Sequence, residues 1–441
     1  MRIFITLILF LLPLGVSSQE LYFPPLSGDE WESRSAVSLN WCDEKIDSLY
    51  NFLENEETYS FILLKDGKIV LEKYFDDHTR DSLWVWFSAG KSLRALLFGI
   101  AQEEGYLDIH DKTSEYLGEG WTSLEKDKED MITIWHQLTM TTGLNELLFF
   151  CTDPSCLHYK SDAGTRWVYH NSPYSLLKDV LEEATGTDIN SYTVAKLKNK
   201  IGMGTVFWYP SGYNNFFISN ARDMARFGLL IQAGGTWNGT PVINNSEYFN
   251  AMINTSQELN LSYGYLWWLN GKASHIAPGS TNVIEGPIAP DAPFDVITAA
   301  GAQGQYISIS PDKGLVMIRQ GLSPNEDENA FALHNEIWKR IIELECATSV
   351  EETFIADILT TYPNPTAGSS TLLFTLESPV ANARIQICNY MGEILATLYE
   401  GALRSGEHNF ECDMSIYPSG IYFYRLYIDG KSRLKAVNLV K

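Results

Sequence analysis

Trp86-Phe87-Ser88-Ala89-Gly90-Lys91-Ser92-Leu93 is the stretch on which the fold turns. Ahead of it runs Leu83-Trp84-Val85-Trp86-Phe87, too bulky and apolar for an exposed loop. Behind it Leu93, Leu96, Leu97 and Ile100 recur at helical spacing until Gly105, a C-terminal stop. Positions three apart share a helix face, so Ser88 and Lys91 are expected side by side. A serine hydroxyl needs a neighbouring base to act as a nucleophile, and a lysine serves when burial leaves its amine neutral. The same S-x-x-K spacing occurs at Ser123/Lys126, Ser175/Lys178, Ser310/Lys313 and Ser432/Lys435, where the plain reading is a serine helix start beside a solvated lysine. What sets Ser88 apart must come from its surroundings.

Working outward, Trp41 to about Cys346 reads as one mixed α/β domain. A helix is expected from Cys42 to Leu53. Next come two β-rich runs, Tyr59–Lys65 and Lys68–Tyr74, flanking an Asp66-Gly67 turn, a strong hairpin signal. A second hairpin joins Gln305–Ser310 to Leu315–Arg319 around Asp312-Lys313-Gly314, and a helix from about Glu328 to Leu344 follows. Hairpin, long helical middle, hairpin and helix make an α/β sandwich with an antiparallel sheet and an inserted helical lobe. Beyond Thr348 the character changes. Val350 to Ile358 reads as a linker, and after Tyr362-Pro-Asn-Pro-Thr-Ala-Gly368 short alternating strands are expected at Leu372–Leu376, Arg384–Asn389, Ile394–Tyr399 and Ile421–Tyr427. That is a small all-β sandwich with no paired acid, base or nucleophile of its own.

Residues 1–18 read as a secretory signal: Arg2, the apolar run Ile3–Leu14, then small residues to Ser18. No other stretch approaches the length of a membrane span, so no transmembrane segment is expected after cleavage. The net charge of −23 argues against nucleic-acid partners and against anionic lipid. Six cysteines allow fifteen pairings. Proximity favours Cys151 with Cys156 and Cys388 with Cys412, leaving Cys42 with Cys346; the alternative is reduced, buried thiols. Neither C-x-x-C nor H-E-x-x-H spacing occurs, so no metal and no cofactor is expected.

Downstream of Ser88, Ile132-Thr-Ile-Trp-His-Gln-Leu-Thr-Met-Thr-Thr-Gly143 reads as a structural helix-then-glycine element. Tyr169-His170-Asn171 precedes a helix from Pro173 to Ala184 and places a tyrosine able to relay a proton. Tyr-x-Asn recurs at Tyr213, Tyr248 and Tyr362, so spacing alone is weak. Together with Ala221-Arg-Asp-Met-Ala-Arg-Phe-Gly-Leu-Leu230, Tyr263-Gly-Tyr-Leu-Trp-Trp268 and Gly301-Ala302-Gln303-Gly304-Gln305, these stretches make residues about 40 to 345 resemble the serine β-lactamase and penicillin-binding-protein-like family. The likeness is to its class C, carboxylesterase and 6-aminohexanoate-dimer-hydrolase-like branch.

The resemblance implies a β-lactamase/D,D-peptidase-like fold, an antiparallel sheet flanked by helices. It implies that Ser88 attacks a carbonyl and forms an acyl-enzyme, that Lys91 accepts or shares its proton, and that Tyr169 acts as general base and later general acid. Asn171 would hydrogen-bond the lysine, the N–H groups of Ser88 and Ala302 would form the oxyanion hole, and Gly301, Gln303 and Gly304 would form the strand along the substrate. One departure stands out: the family's third element usually carries a lysine or histidine that binds a carboxylate, and Gly301-Ala302-Gln303 has none. A neutral ester or amide is therefore expected over a penicillin. The alternatives are a β-lactamase or D,D-peptidase, or a non-catalytic relative that binds peptidoglycan or peptide. The last domain, with Tyr362–Gly368, Tyr417-Pro-Ser-Gly-Ile-Tyr-Phe-Tyr-Arg425 and Lys435–Lys441, resembles a type IX secretion C-terminal sorting domain. The expected organisation is signal 1–18, hydrolase domain 19–347, linker 348–358 and sorting domain 359–441. The protein would reach the medium or the cell surface via the periplasm, with a small acyl or peptide-like substrate and the type IX machinery as partners.

Overall fold

The computed structural model describes residues 21–148, 150–323, 331–346, 359–389, 392–428 and 431–441. The expected signal (1–18) and linker (348–358) lie outside them. Helix α1 (Asp43–Asn55) leads into β1 (Thr58–Lys65) and β2 (Lys68–Tyr74). Between these strands Asp66 and Gly67 take positive φ of 52° and 83°, as a two-residue type I′ hairpin requires. The chain then forms α2 (Gly90–Glu103), α3 (Asn171–Thr185) and α4 (Ala221–Gln232). It returns through β3 (Trp268–Leu269), β4 (Ile297–Gly301), β5 (Gln305–Ser310), β6 (Leu315–Gly321) and α5 (Ala332–Ile342).

The expected antiparallel sheet is present, in the order β2-β1-β6-β5-β4-β3. Long-range pairing puts β1 against β6, with Ile62 opposite Ile318 and Leu64 opposite Val316. Every residue of β5 and β6 is buried, so both faces of the sheet's centre are covered. Helix α4 lies against β1, β5 and β6, and α1 packs against β1 and α5. Helix α2 is buried on all sides from Gly90 to Ala101, which makes it the core helix of the inserted lobe. Its apolar residues therefore need not keep to one face. The Cys42–Cys346 disulfide, 304 residues apart in sequence, joins the start of α1 to the end of the domain. Flanking hydrogen bonds from Cys42 N to Leu344 O (2.9 Å) and Cys346 N to Asn40 O (2.7 Å) support it. The helix expected over 328–344 is observed as α5; residues 328–330 lie outside the described ones. No helix among the described residues is long and apolar enough to cross a membrane.

Residues 360–439 form two antiparallel sheets. Strands Thr360–Tyr362, Ser369–Leu376 and Gly406–Asp413 make one; Val380–Asn389, Ile394–Leu403, Gly420–Ile428 and Lys431–Leu439 make the other. Leu372, Phe374 and Leu376 from the first share a core with Ile385, Ile387, Tyr424 and Leu426 from the second. Sequence reading misses Gly406–Asp413 because Gly-Glu-His-Asn-Phe-Glu-Cys-Asp is polar at most positions and largely exposed. One disulfide expectation is overturned. Cys388 and Cys412 are free, buried thiols on strands of different sheets. Neither is the other's cross-strand neighbour, Cys388 facing Phe423 and Cys412 facing Ser370. The Cys151–Cys156 bridge forms as expected.

Two consequences are measurable. The non-reduced, denatured protein is expected to titrate as two free thiols per chain, from Cys388 and Cys412. Replacing both Cys42 and Cys346 by serine should lower stability in urea unfolding by about 2–5 kcal/mol, whereas the same change at Cys151 and Cys156, which close a short loop, should cost less.

Candidate active site

The nucleophile turn is built from the small sheet beside it. Trp84–Val85 pairs with Asn214–Ser219, and Trp86 continues the pairing with its N–H on Phe217 O at 2.9 Å. The Trp86 indole is fully buried, stands edge-on to Phe217 and donates to Ser219 Oγ at 2.8 Å. So anchored, the chain turns sharply: Phe87 takes a positive φ of 48°, unusual for a bulky residue, and Ser88 follows in a single 3₁₀ turn (Phe87–Ala89) that runs into α2. Helical spacing then delivers the expected pairing: Lys91 Nζ donates to Ser88 Oγ at 3.0 Å.

Lys91 is 2% exposed. Its amine lies over the Tyr174 ring at 4.2 Å and the Tyr169 ring at 5.3 Å. Burial, followed by the nearby Arg94 guanidinium, pulls its pKa down from 10.5 to about 7. The other S-x-x-K lysines with described contacts are ordinary: Lys126 is exposed and pairs with Glu119 and Asp130, and Lys178 pairs with Asp179 and Glu182. Arg94 is itself fully buried between the Tyr174 and Trp208 rings, at 4.5 and 4.7 Å.

Tyr169 stacks on Trp268 at 6.0 Å, with Ser88 close enough to act on its phenol. Burial pushes its phenol well above the usual tyrosine range, more than the Ser88 contact brings it down. It therefore rests protonated, and the neutral amine of Lys91 is the base available near pH 7. Asn171 opens α3 and faces the cavity, but its Oδ1 is buried with no hydrogen-bond partner among the described residues, so it does not accept from Lys91. Between them, His170 is buried with neither ring nitrogen bonded to a described residue, and burial lowers its pKa to about 4.

Gly301, at the end of β4, explains why this position is a glycine. A Cβ there would lie 2.2 Å from Trp86 O and 3.0 Å from Ala89 N, so the strand rests directly on the nucleophile turn. Ala302 and Gly304 line the cavity beside Ser88. Gln303 does not. It takes a positive φ of 62°, and its Oε1 accepts from Ser323 N at 3.0 Å, so its side chain braces the end of β6 instead of reaching along a substrate. Buried Arg319 donates to both Gln303 O and Gly304 O, at 3.0 and 2.8 Å, and holds this turn from beneath.

These groups border a cavity of about 940 Å³ whose walls include Trp268, Tyr306, Phe331, Leu333, Glu56, Glu146 and Glu336. Sequence reading gave none of these a role. Trp268 ends one of the motifs, and Phe331, Leu333 and Glu336 come from the start of α5, but Glu56, Glu146 and Tyr306 lie on three other segments with no pattern linking them to these. Among the described lining residues none is Lys, Arg or His. No group of His, Cys, Asp or Glu among the described residues is placed to hold a metal ion.

The family model described as Beta-lactamase matches residues 54–330, and that described as Secretion system C-terminal sorting domain matches residues 360–438. No curated protein matches the chain. Among solved structures, a "Putative 6-aminohexanoate-dimer hydrolase from Bacillus anthracis" aligns at 16% identity and a TM-score of 0.56, covering 71% of this chain and 87% of that one. A "putative beta-lactamase from Bacteroides dorei DSM 17855" aligns at 15% and 0.56, covering 69% and 99%. A family VIII carboxylesterase aligns at 16% and 0.52, covering 68% and 97%. At these identities the likeness is one of fold.

Lys91 carries a stability signature that can be measured. Its folded pKa lies below its unfolded value, so the unfolded chain binds more protons between about pH 7 and 10.5. The cost to stability is complete below pH 7 and fades as pH rises through the unfolded value. Lys91→Met should therefore stabilise the fold by roughly 2–4 kcal/mol at pH 6, and by little near pH 10.5, in urea unfolding at the two pH values.

Proposed function

The chain belongs to the beta-lactamase family through residues 54–330 and carries a secretion system C-terminal sorting domain, and from that premise we propose that it is a secreted serine hydrolase that opens an ester or amide bond through an acyl-enzyme on Ser88. The observation that carries the reading is the 3.0 Å contact between Ser88 Oγ and a buried lysine whose pKa is near 7. Neutral Lys91 takes the Ser88 proton as Oγ bonds to the substrate carbonyl carbon. The N–H groups of Ser88 and Ala302 receive the negative charge on the carbonyl oxygen; one such donor is typically worth ~3 kcal/mol of barrier. As the intermediate collapses and the bond to the leaving group breaks, the proton passes from the Lys91 ammonium through the Tyr169 hydroxyl to the departing oxygen or nitrogen. Water then releases the acyl group by the reverse path. Asn171, free of the lysine, offers its Oδ1 to the substrate.

The absence of a cation at Gly301–Gln303 and among the described lining residues favours an ester or amide without a carboxylate over a β-lactam or a D,D-peptide. The names of two neighbouring structures, an aminohexanoate-dimer hydrolase and a carboxylesterase, agree with amide or ester cleavage. The sorting domain assigns the protein to secretion or the cell surface. We place the boundaries at 1–18 for the signal, 19–347 for the hydrolase domain, 348–358 for the linker and 359–441 for the sorting domain, with passage through the periplasm to the type IX machinery.

A fluorophosphonate probe should label the protein and fail to label Ser88→Ala, which should also lose about a thousandfold or more of ester hydrolysis. The wild-type kcat/KM should rise with pH through about 7, as Lys91 loses its proton. Labelled but faster on a chromogenic cephalosporin than on esters, the protein is a β-lactamase. Binding peptidoglycan or peptide with no acylation by any probe would make it a non-catalytic relative.

Deleting residues 359–441 should leave ester hydrolysis intact but trap the protein in the periplasm. Fractionation of the producing cells checks this, and normal secretion of the truncated chain would contradict the sorting role.

A further inference from the structure

The cavity beside Ser88 presents hydrogen-bond acceptors and negative charge. Its three glutamates are not equivalent. Glu146 is gripped by both terminal nitrogens of Arg166, with Nη1 to Oε2 at 2.9 Å. Glu336 is paired with Arg340 at 2.6 Å. The Glu56 carboxylate has neither an ion pair nor a side-chain hydrogen bond among the described residues, although it is half-buried and lines the cavity. It also caps the C-terminus of α1, the helix end at which a negative charge is least favourable.

Arg319, on which Glu56 acts through space, does not neutralise it by contact. Buried Arg319 has five N–H donors, and all five go to neutral oxygens. Nε reaches Thr58 Oγ1 at 2.9 Å, Nη1 reaches Gln303 O and Gly304 O, and Nη2 reaches Leu322 O at 2.6 Å and the backbone oxygen of Glu56 itself at 2.5 Å. One guanidinium thus ties the Glu56 backbone to the turn that carries Ala302 while leaving the carboxylate without a donor. The walls also include the aromatic rings of Trp268, Tyr306 and Phe331, surfaces that suit an alkylammonium group.

We infer that Glu56 is a specificity-determining residue that selects substrates bearing a positively charged nitrogen over neutral substrates of the same shape. The inference rests on the reading of Ser88 as the acyl-forming nucleophile and names the substrate class of that site: amine- or ammonium-bearing esters and amides. A role confined to balancing the buried charge of Arg319, to which Glu56 and Glu57 both contribute through space, would leave charge selectivity untouched.

The test uses charge isosteres and the full chain. Butyrylthiocholine is compared with 3,3-dimethylbutyl thiobutyrate, which replaces the nitrogen by carbon on the leaving group. The 4-nitrophenyl esters of 4-(trimethylammonio)butanoate and 5,5-dimethylhexanoate make the same comparison on the acyl side. In at least one pair kcat/KM should favour the cation by about tenfold, as one partly screened charge pair provides. Glu56→Gln should bring that ratio to within about twofold of one, and Glu56→Asp should keep part of it. A wild-type ratio of one or less in both pairs overturns the inference, as does an unchanged ratio in Glu56→Gln, whatever the absolute rates. Affinities of the same esters for Ser88→Ala, measured by calorimetry, separate the two readings. If wild type turns over none of them but Ser88→Ala binds the cation about tenfold more tightly, the hydrolase reading falls and the charge selection stands. If turnover is normal and neither rate nor affinity discriminates, the reverse holds.

Discussion

The burial of one amine governs the rest of this structure. Lys91 sits on a helix that is covered on every side from Gly90 to Ala101, with aromatic rings against its amine and no carboxylate among the influences on its charge. Removing water from an ammonium without supplying a counter-charge favours the neutral form, which is what brings the pKa to about 7. An amine kept this way costs the fold stability and gives Ser88 Oγ a base at 3.0 Å. The positive φ at Phe87 is a second local cost at the same place. Both are tolerable because Trp86, locked to Ser219 and Phe217, leaves the turn no alternative path.

Opposite the nucleophile stands a wall with little freedom. Gly301 touches the backbone of the turn, and Arg319 spends every N–H on the backbone and Thr58 around it. Rigidity of this kind suits preorganised N–H donors, since they need not reorient as charge develops on a carbonyl oxygen. It also links distant parts of the chain: the carbonyl of Glu56 that caps α1, the turn after β4 and Leu322 just past β6 meet on one guanidinium.

Much of the fold was legible in the sequence, because its signals are local. Asp66-Gly67 demands positive φ at both residues, and the β-rich runs beside it had one way to pair. The helical spacing of Leu93, Leu96, Leu97 and Ile100 is enough to place Ser88 and Lys91 together. The strand Gly406–Asp413 was not legible, since its polar sequence carries no alternation strong enough to stand apart from a loop. The cysteines divide the same way. Cys151–Cys156 closes over a few residues, while the proximity argument failed for Cys388 and Cys412 because nearness along the chain does not put residues of different sheets in register.

Sequence alone determined which chemistry was on offer: a serine and a lysine one turn apart, a tyrosine and an asparagine before a helix, and a third strand without a cation. Tertiary structure decided what state each group is in. Proton affinity depends on what covers a group, so burial lowers that of Lys91 and raises that of Tyr169. Side-chain direction depends on backbone angles and partners far along the chain, so Gln303 turned to Ser323 and Asn171 Oδ1 was left without a hydrogen bond among the described residues. The glutamates became part of one cavity for the same reason: their separation along the chain says nothing about their separation in space, and only the packed sheet and helices set it.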